Sequence, residues 1–193
     1  VYIPHFMSWV VAASIFSMIL SPTSAGLVND ILMKLHLISD NIYFLGDQKW
    51  WRFSYYLINV WKDTGWGTII FMATLAGISP ELYEAASMDG ANRFQKMIYI
   101  TLPALNNTIV TVLVLNLAKV MNLFESVFVL QNDAVIKVSD VLQTYIYTQT
   151  FNSGAIPDYG YTTAVGMFSS IISCILVLVC NRVSHKTRGR GIV

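Results

Sequence analysis

The chain has 193 residues, of which 55% are hydrophobic and 12% are charged, and its formal net charge is +1. Soluble domains carry about 25% charged residues, so this is the composition of a membrane protein, and no basic block is large enough to track a nucleic-acid backbone. The two cysteines, Cys174 and Cys180, lie in one apolar run and read as small buried hydrophobes, with no disulfide and no metal implied.

Residues 1–29 hold no Lys, Arg, Asp or Glu. The chain starts at Val1, already in apolar sequence, which leads us to expect a fragment lacking an N-terminal part. A hydrocarbon layer of about 30 Å takes about 20 apolar residues to cross, and the first spanning helix is expected at about 6–20, ended by Ser21-Pro22. His5 reads as an interfacial polar residue near that helix end. Residues 26–52 are too charged to span and read as an external loop with a short amphipathic helix over 27–37. Trp50, Trp51, Phe53, Tyr55 and Tyr56 follow, with Trp61 and Trp66 beyond. Rings with one polar atom suit a membrane–water boundary, so the cluster reads as an interfacial belt; the same rings can stack on sugars and line a saccharide mouth. The second span is expected within 56–78, with Lys62 and Asp63 near its outer end, where long side chains snorkel.

Residues 80–103 form a polar stretch between apolar segments. Ser79 is a good N-cap, Pro80 suits the first helical position, and Glu81 complements the helix dipole. That helix is expected to run to Met88 or Asp89 and to end at Gly90 in the left-handed conformation. A second short helix carrying Arg93 and Lys96 is expected from about Ala91, with Leu102-Pro103 marking a break before the next apolar run. Leu82, Ala85 and Ala86 give the first helix a small flat apolar face suited to another protein's groove.

The third span is expected at about 103–124. At 100° per residue, Thr108, Thr111, Asn116, Lys119, Asn122, Glu125 and Ser126 fall on one half of it. Lys119 is the only charge well inside that run. A charge at such depth costs several kcal/mol facing lipid, so two readings stand. In one, Asn116, Lys119, Asn122 and Glu125 line a path for a polar substrate; in the other, Lys119 snorkels or pairs with an acid. Residues 127–158 read as a second external loop, with a short helix near 141–150, and 159–181 as the fourth span. The tail holds Arg182, Lys186, Arg188 and Arg190 with no acid, which places the C-terminus and, two spans earlier, the 80–103 loop in the cytoplasm.

Glu84-Ala85-Ala86, Gly90 four residues on, and Ile100-Thr101-Leu102-Pro103 resemble, at every defining position, the EAA loop of bacterial ABC importer permeases. The resemblance implies an all-α integral membrane protein with the ABC importer permease (MetI-like) core: one transmembrane domain over 1–193, with four spans and cytoplasmic coupling helices. It implies that Glu84, Ala85, Ala86, Asp89, Gly90, Ala91, Phe94, Leu102 and Pro103 seat in a separate ABC ATPase, which holds the ATP and magnesium. The other implied partners are a second, different permease, an extracellular solute-binding protein, a saccharide and membrane lipid, in a bacterial cytoplasmic membrane. Segments at Pro4 to Trp9, Phe94, Phe124 to Leu130 and Tyr161 to Gly166 look most like permeases for oligosaccharides or polysaccharide fragments.

No phosphate-cradling G-x-x-x-x-G-K-[ST] occurs, and His5, His36 and His185 are scattered. An enzyme is therefore not expected. A secondary transporter or channel, in which the 80–103 loop is a mere connector, and a scaffold subunit are the competing classes.

Overall fold

A computed structural model describes residues 2–23, 26–152 and 158–188, with residues 183–188 by backbone alone. Among the described residues it contains helices and no strand. After a 3-10 turn over Ile3–Phe6 come α1 (Trp9–Ile19), α2 (Leu27–Lys34), α3 (Gln48–Ala76), α4 (Pro80–Met88) and α5 (Arg93–Lys96). A π-helical turn over Met97–Thr101 leads into α6 (Leu102–Val120), followed by α7 (Glu125–Leu130), α8 (Ile136–Ser139), α9 (Leu142–Phe151) and α10 (Tyr159–Arg188). The side chains of His185, Lys186, Arg188 and Arg190, which orient the tail in the sequence reading, lie outside the described residues, as do residues 153–157.

The helices form two compact units. The first comprises residues 1–64 and 121–172. Its core is built where the i, i+4, i+7 stripe of α3 (Trp51, Tyr55, Ile58) meets Ala13 and Phe16 of α1 and Val127 and Leu130 of α7. Burying each large side chain contributes about 1.5–3 kcal/mol. Two of the aromatic polar groups taken inside are paired. Trp51 Nε1 donates to the Leu130 carbonyl at 3.0 Å, and the Tyr55 and Ser126 hydroxyls lie 2.9 Å apart. Fully buried Asn29 staples the 35–46 connection: its Nδ2 donates to the Ser21 and Ile42 carbonyls, and Ile42 N–H returns a bond to its Oδ1 at 3.0 Å.

This core corrects two expectations. Trp51 and Tyr55 do not sit in an interfacial belt; they stack on each other inside the unit, while Phe53 and Tyr56 stay exposed. Lys62 does not snorkel, because its buried ammonium donates to the His5 carbonyl at 3.0 Å and lies 5.1 Å from the Trp9 ring centre. Residues 127–152 are packed into the unit, with Val127, Leu130, Val135, Ser139 and Thr144 buried, and α9 lies where a short helix is expected.

The second unit comprises residues 65–120 and 173–193. It has little interior: on α6, Val114 is buried among mostly exposed Leu, Ile and Val. Thr74 and Thr108 hydroxyls meet at 2.8 Å between α3 and α6. Cys174 is exposed and Cys180 half-buried, so the expectation of buried cysteines is corrected.

Two helical stretches are long and apolar enough to cross a membrane, Arg93–Val120 with 28 residues and Tyr159–Arg182 with 24. At 1.5 Å per residue they are roughly 42 and 36 Å long, more than the hydrocarbon layer. Both are mostly exposed, unlike the core helix of a soluble domain. The apolar helix expected at 6–20 is shorter: Phe6 belongs to the 3-10 turn, and the eleven residues of α1 cover roughly 16 Å. The helix expected within 56–78 begins earlier, at Gln48, and ends at Ala76.

Candidate functional site

The 80–103 stretch is built from local rules. Ser79 Oγ accepts the Glu81 N–H, and Pro80 sits at the first helical position. At the other end, Gly90 takes φ +77°. Its N–H donates to the Ser87 carbonyl at 3.1 Å, and the next N–H, of Ala91, reaches the Ala86 carbonyl at 2.9 Å. These are the paired bonds of a Schellman cap, which satisfies carbonyls left over at a helix end. The chain reverses and α5 opens at once with a capping box: Asn92 Oδ1 accepts the Gln95 N–H, and Gln95 Oε1 accepts the Asn92 N–H.

Two side-chain bonds clamp the turn. Lys96 Nζ donates to Ser87 Oγ at 2.5 Å, and the Tyr83 and Thr101 hydroxyls lie 3.0 Å apart. The backbone is thus held at both ends while no residue of α4 is buried. Glu84, Ala85, Asp89 and Gly90 are exposed, Ala86 and Ala91 half-buried, and Phe94 is 73% exposed.

Leu102 and Pro103 do not break the chain, which corrects that expectation. Helical structure runs unbroken from Arg93 to Val120. In an α-helix, proline lacks the i→i−4 donor and its ring strikes that carbonyl, here the one of Tyr99. The π-helical turn over Met97–Thr101 widens the backbone just there, with the Leu102 N–H donating five residues back to Met97. The short second helix is therefore the first turn of a long one.

The polar face expected on the third span is divided. Asn116 and Lys119 lie exposed on α6, and among the described residues Lys119 makes no ion pair. The helix stops at Val120, so Asn122 falls in a turn, where its Oδ1 accepts from Gln143 Nε2 at 3.2 Å. Glu125 opens the separate helix α7, exposed. Ser126 turns inward to Tyr55 and Thr108 to Thr74.

One concavity went unanticipated in the sequence. A hollow of about 260 Å³ in the first unit is lined by Trp51, Arg52, Tyr55, Tyr56, Ser139 and Asp140 among others. Only the aromatic run hinted at it, since Asp140 is remote in sequence. Nearby, the Tyr145 hydroxyl lies 3.4 Å from that of Tyr161, and this contact raises the Tyr145 pKa above the usual tyrosine value. Among the described residues no group of His, Cys, Asp and Glu is placed to hold a metal.

The described residues are helical throughout, with two helices long and apolar enough to cross a membrane and a capped turn in which no residue of α4 is buried. Residues 1–189 match the family described as binding-protein-dependent transport system inner membrane component. The chain belongs to that family. Protein LplB of Bacillus subtilis (strain 168) is 40% identical over 193 residues, covering 100% of this chain and 59% of that protein. The polygalacturonan/rhamnogalacturonan transport system permease protein YteP of the same organism is 39% identical, covering 100% and 58%. The crystal structure of a bacterial ABC transporter involved in the import of the acidic polysaccharide alginate matches with TM-score 0.90 and 36% identity, over 97% of this chain and 64% of that one. That transporter in complex with alginate pentasaccharide-bound periplasmic protein matches with TM-score 0.91 and 35% identity, over 100% and 65%. The chain thus spans about three-fifths of the length of LplB and of YteP, and its fold is that of the helical ABC importer permeases.

Proposed function

We propose that this chain is the transmembrane subunit of an ATP-driven importer, forming half of the pathway for an oligosaccharide or polysaccharide fragment. It performs no chemistry; ATP and magnesium bind to separate ATPase subunits, which grip the 80–103 turn from the cytoplasm. A second, different permease completes the pathway, and an extracellular solute-binding protein delivers the saccharide. The C-terminus is cytoplasmic, as the basic tail implies. Asn116, Lys119, Asn122 and Glu125 belong to the solute path.

The observation that carries this reading is a helix with no buried residue, α4, locked at both ends by side-chain and glycine caps. Exposed apolar surface on a rigid mount suits a helix-in-groove partner. Relatives named as saccharide transport permeases support the substrate class. The test is co-purification with an ABC ATPase of the same organism and uptake in proteoliposomes. Glu84→Lys is expected to abolish ATP-coupled uptake while the permease remains folded. Uptake that proceeds at the wild-type rate without ATP would instead favour a secondary transporter or channel.

A further inference from the structure

The hollow beneath the start of α3 is more than a packing fault. Its floor is Trp51 and Tyr55, both nearly fully buried and fixed by their bonds to the Leu130 carbonyl and to Ser126. Tyr56, 64% exposed, stands at its rim. Two opposite charges share the lining without meeting. Arg52 donates its Nε to the Val138 carbonyl at 3.3 Å, and Asp140 accepts from Thr144 Oγ1 at 2.5 Å. Thr144 itself is 1% exposed, so the carboxylate is held by a buried anchor. Among the described residues no ion pair joins Arg52 and Asp140. Opposite charges in one hollow, each tethered elsewhere, are preorganised for a ligand bearing both an acid and several donors.

We propose that this hollow is a subsite for one uronic acid residue of a saccharide, an inference that rests on the importer reading above. The remaining guanidinium N–H groups of Arg52 take the sugar carboxylate, a geometry that a planar fork suits. Asp140 accepts from ring hydroxyls, and Tyr56 offers its face to the ring. The volume, about 260 Å³, lies below the range of pockets for drug-sized ligands and suits a single ring. An anionic lipid headgroup fits worse, because a phosphate offers no ring to the face of Tyr56 and no hydroxyl donors to Asp140, and, among the described residues, no second cation lines the hollow.

The test uses the full permease–ATPase complex in nanodiscs, without the solute-binding protein, titrated with an oligogalacturonate and with its methyl-esterified form. Arg52→Gln is expected to weaken binding of the free acid roughly tenfold and to leave the ester unchanged, with Arg52→Lys in between, as loss of one charge-assisted contact predicts. Tyr56→Ala is expected to weaken both forms alike, and Asp140→Asn to weaken the ester more than the acid, because it also removes a negative charge facing the carboxylate. Equal affinity of wild type and Arg52→Gln for the free acid would overturn the subsite. So would a loss shared equally by acid and ester on Arg52→Gln, or an Arg52 effect confined to phosphatidylglycerol content of the disc. ATP-coupled uptake of the same saccharide, measured in parallel, separates the two readings. Coupled uptake with an unaltered Arg52→Gln sinks the subsite alone, whereas uncoupled uptake by wild type sinks the importer reading.

Discussion

Ala91 donates its backbone N–H to the carbonyl of Ala86 at 2.9 Å, across a glycine held at φ +77°. That bond is one of several that hold the angle at which α5 leaves α4. A Cβ at Gly90 would meet nothing within 4 Å, so the demand there is on backbone conformation and not on space. Gly90→Ala should therefore cost about 1 kcal/mol, and Gly90→Asn less, because asparagine tolerates the left-handed region. Thermal unfolding of the purified complex checks the ranking. On the proposed coupling role, ATP-driven uptake should fall in the same order.

Pro103 sets a second expectation. If the π-helical turn exists to accommodate the proline ring, Pro103→Ala permits the ordinary α-helical register over 97–101. Removing one residue's worth of widening turns everything beyond it by roughly 100° about the helix axis. Spin-label distances between positions on α4 and the far end of α6 should shift by several ångströms. Unchanged distances would mean that the wide turn has another cause.

Trp51 carries both area and a buried donor. Trp51→Phe should cost about 1–3 kcal/mol, since the Leu130 carbonyl then lacks its partner. Trp51→Ala should cost about 3–5 kcal/mol through the cavity it leaves. Denaturation midpoints in detergent measure both. Equal midpoints for wild type and Trp51→Phe would show that the indole N–H is replaceable by water.

Lys119 is exposed on α6 and makes no ion pair among the described residues. Lys119→Met should lower the uptake rate severalfold while leaving assembly with the ATPase intact. Unchanged uptake would remove Lys119 from the solute path and leave it a snorkelling residue.

What could be read in advance was whatever depends on neighbours in the chain. Ser79, Pro80 and Gly90 each occupy the place that their own conformational preferences dictate, so the capped helix was legible to within a residue. Leu102-Pro103 misled because a proline normally ends a helix, and nothing local announces the wide turn that absorbs it. Trp51, Tyr55 and Lys62 misled for a different reason. Their partners, Leu130, Ser126 and His5, are distant in sequence, and an aromatic or a lysine near a membrane face has two physically reasonable fates. Asn122 and Glu125 were lost to the polar face when α6 stopped at Val120, and no proline or glycine marks that end.

The unbroken course from Arg93 to Val120 has a mechanical corollary. On the coupling role proposed above, a load applied at Phe94 would meet no break in the helix before it enters the apolar rod, and push and twist would arrive together at the opposite tip. The widened turn near Pro103 is then the sole place along that shaft where a stiffer or softer sequence would retune how much of the stroke becomes rotation.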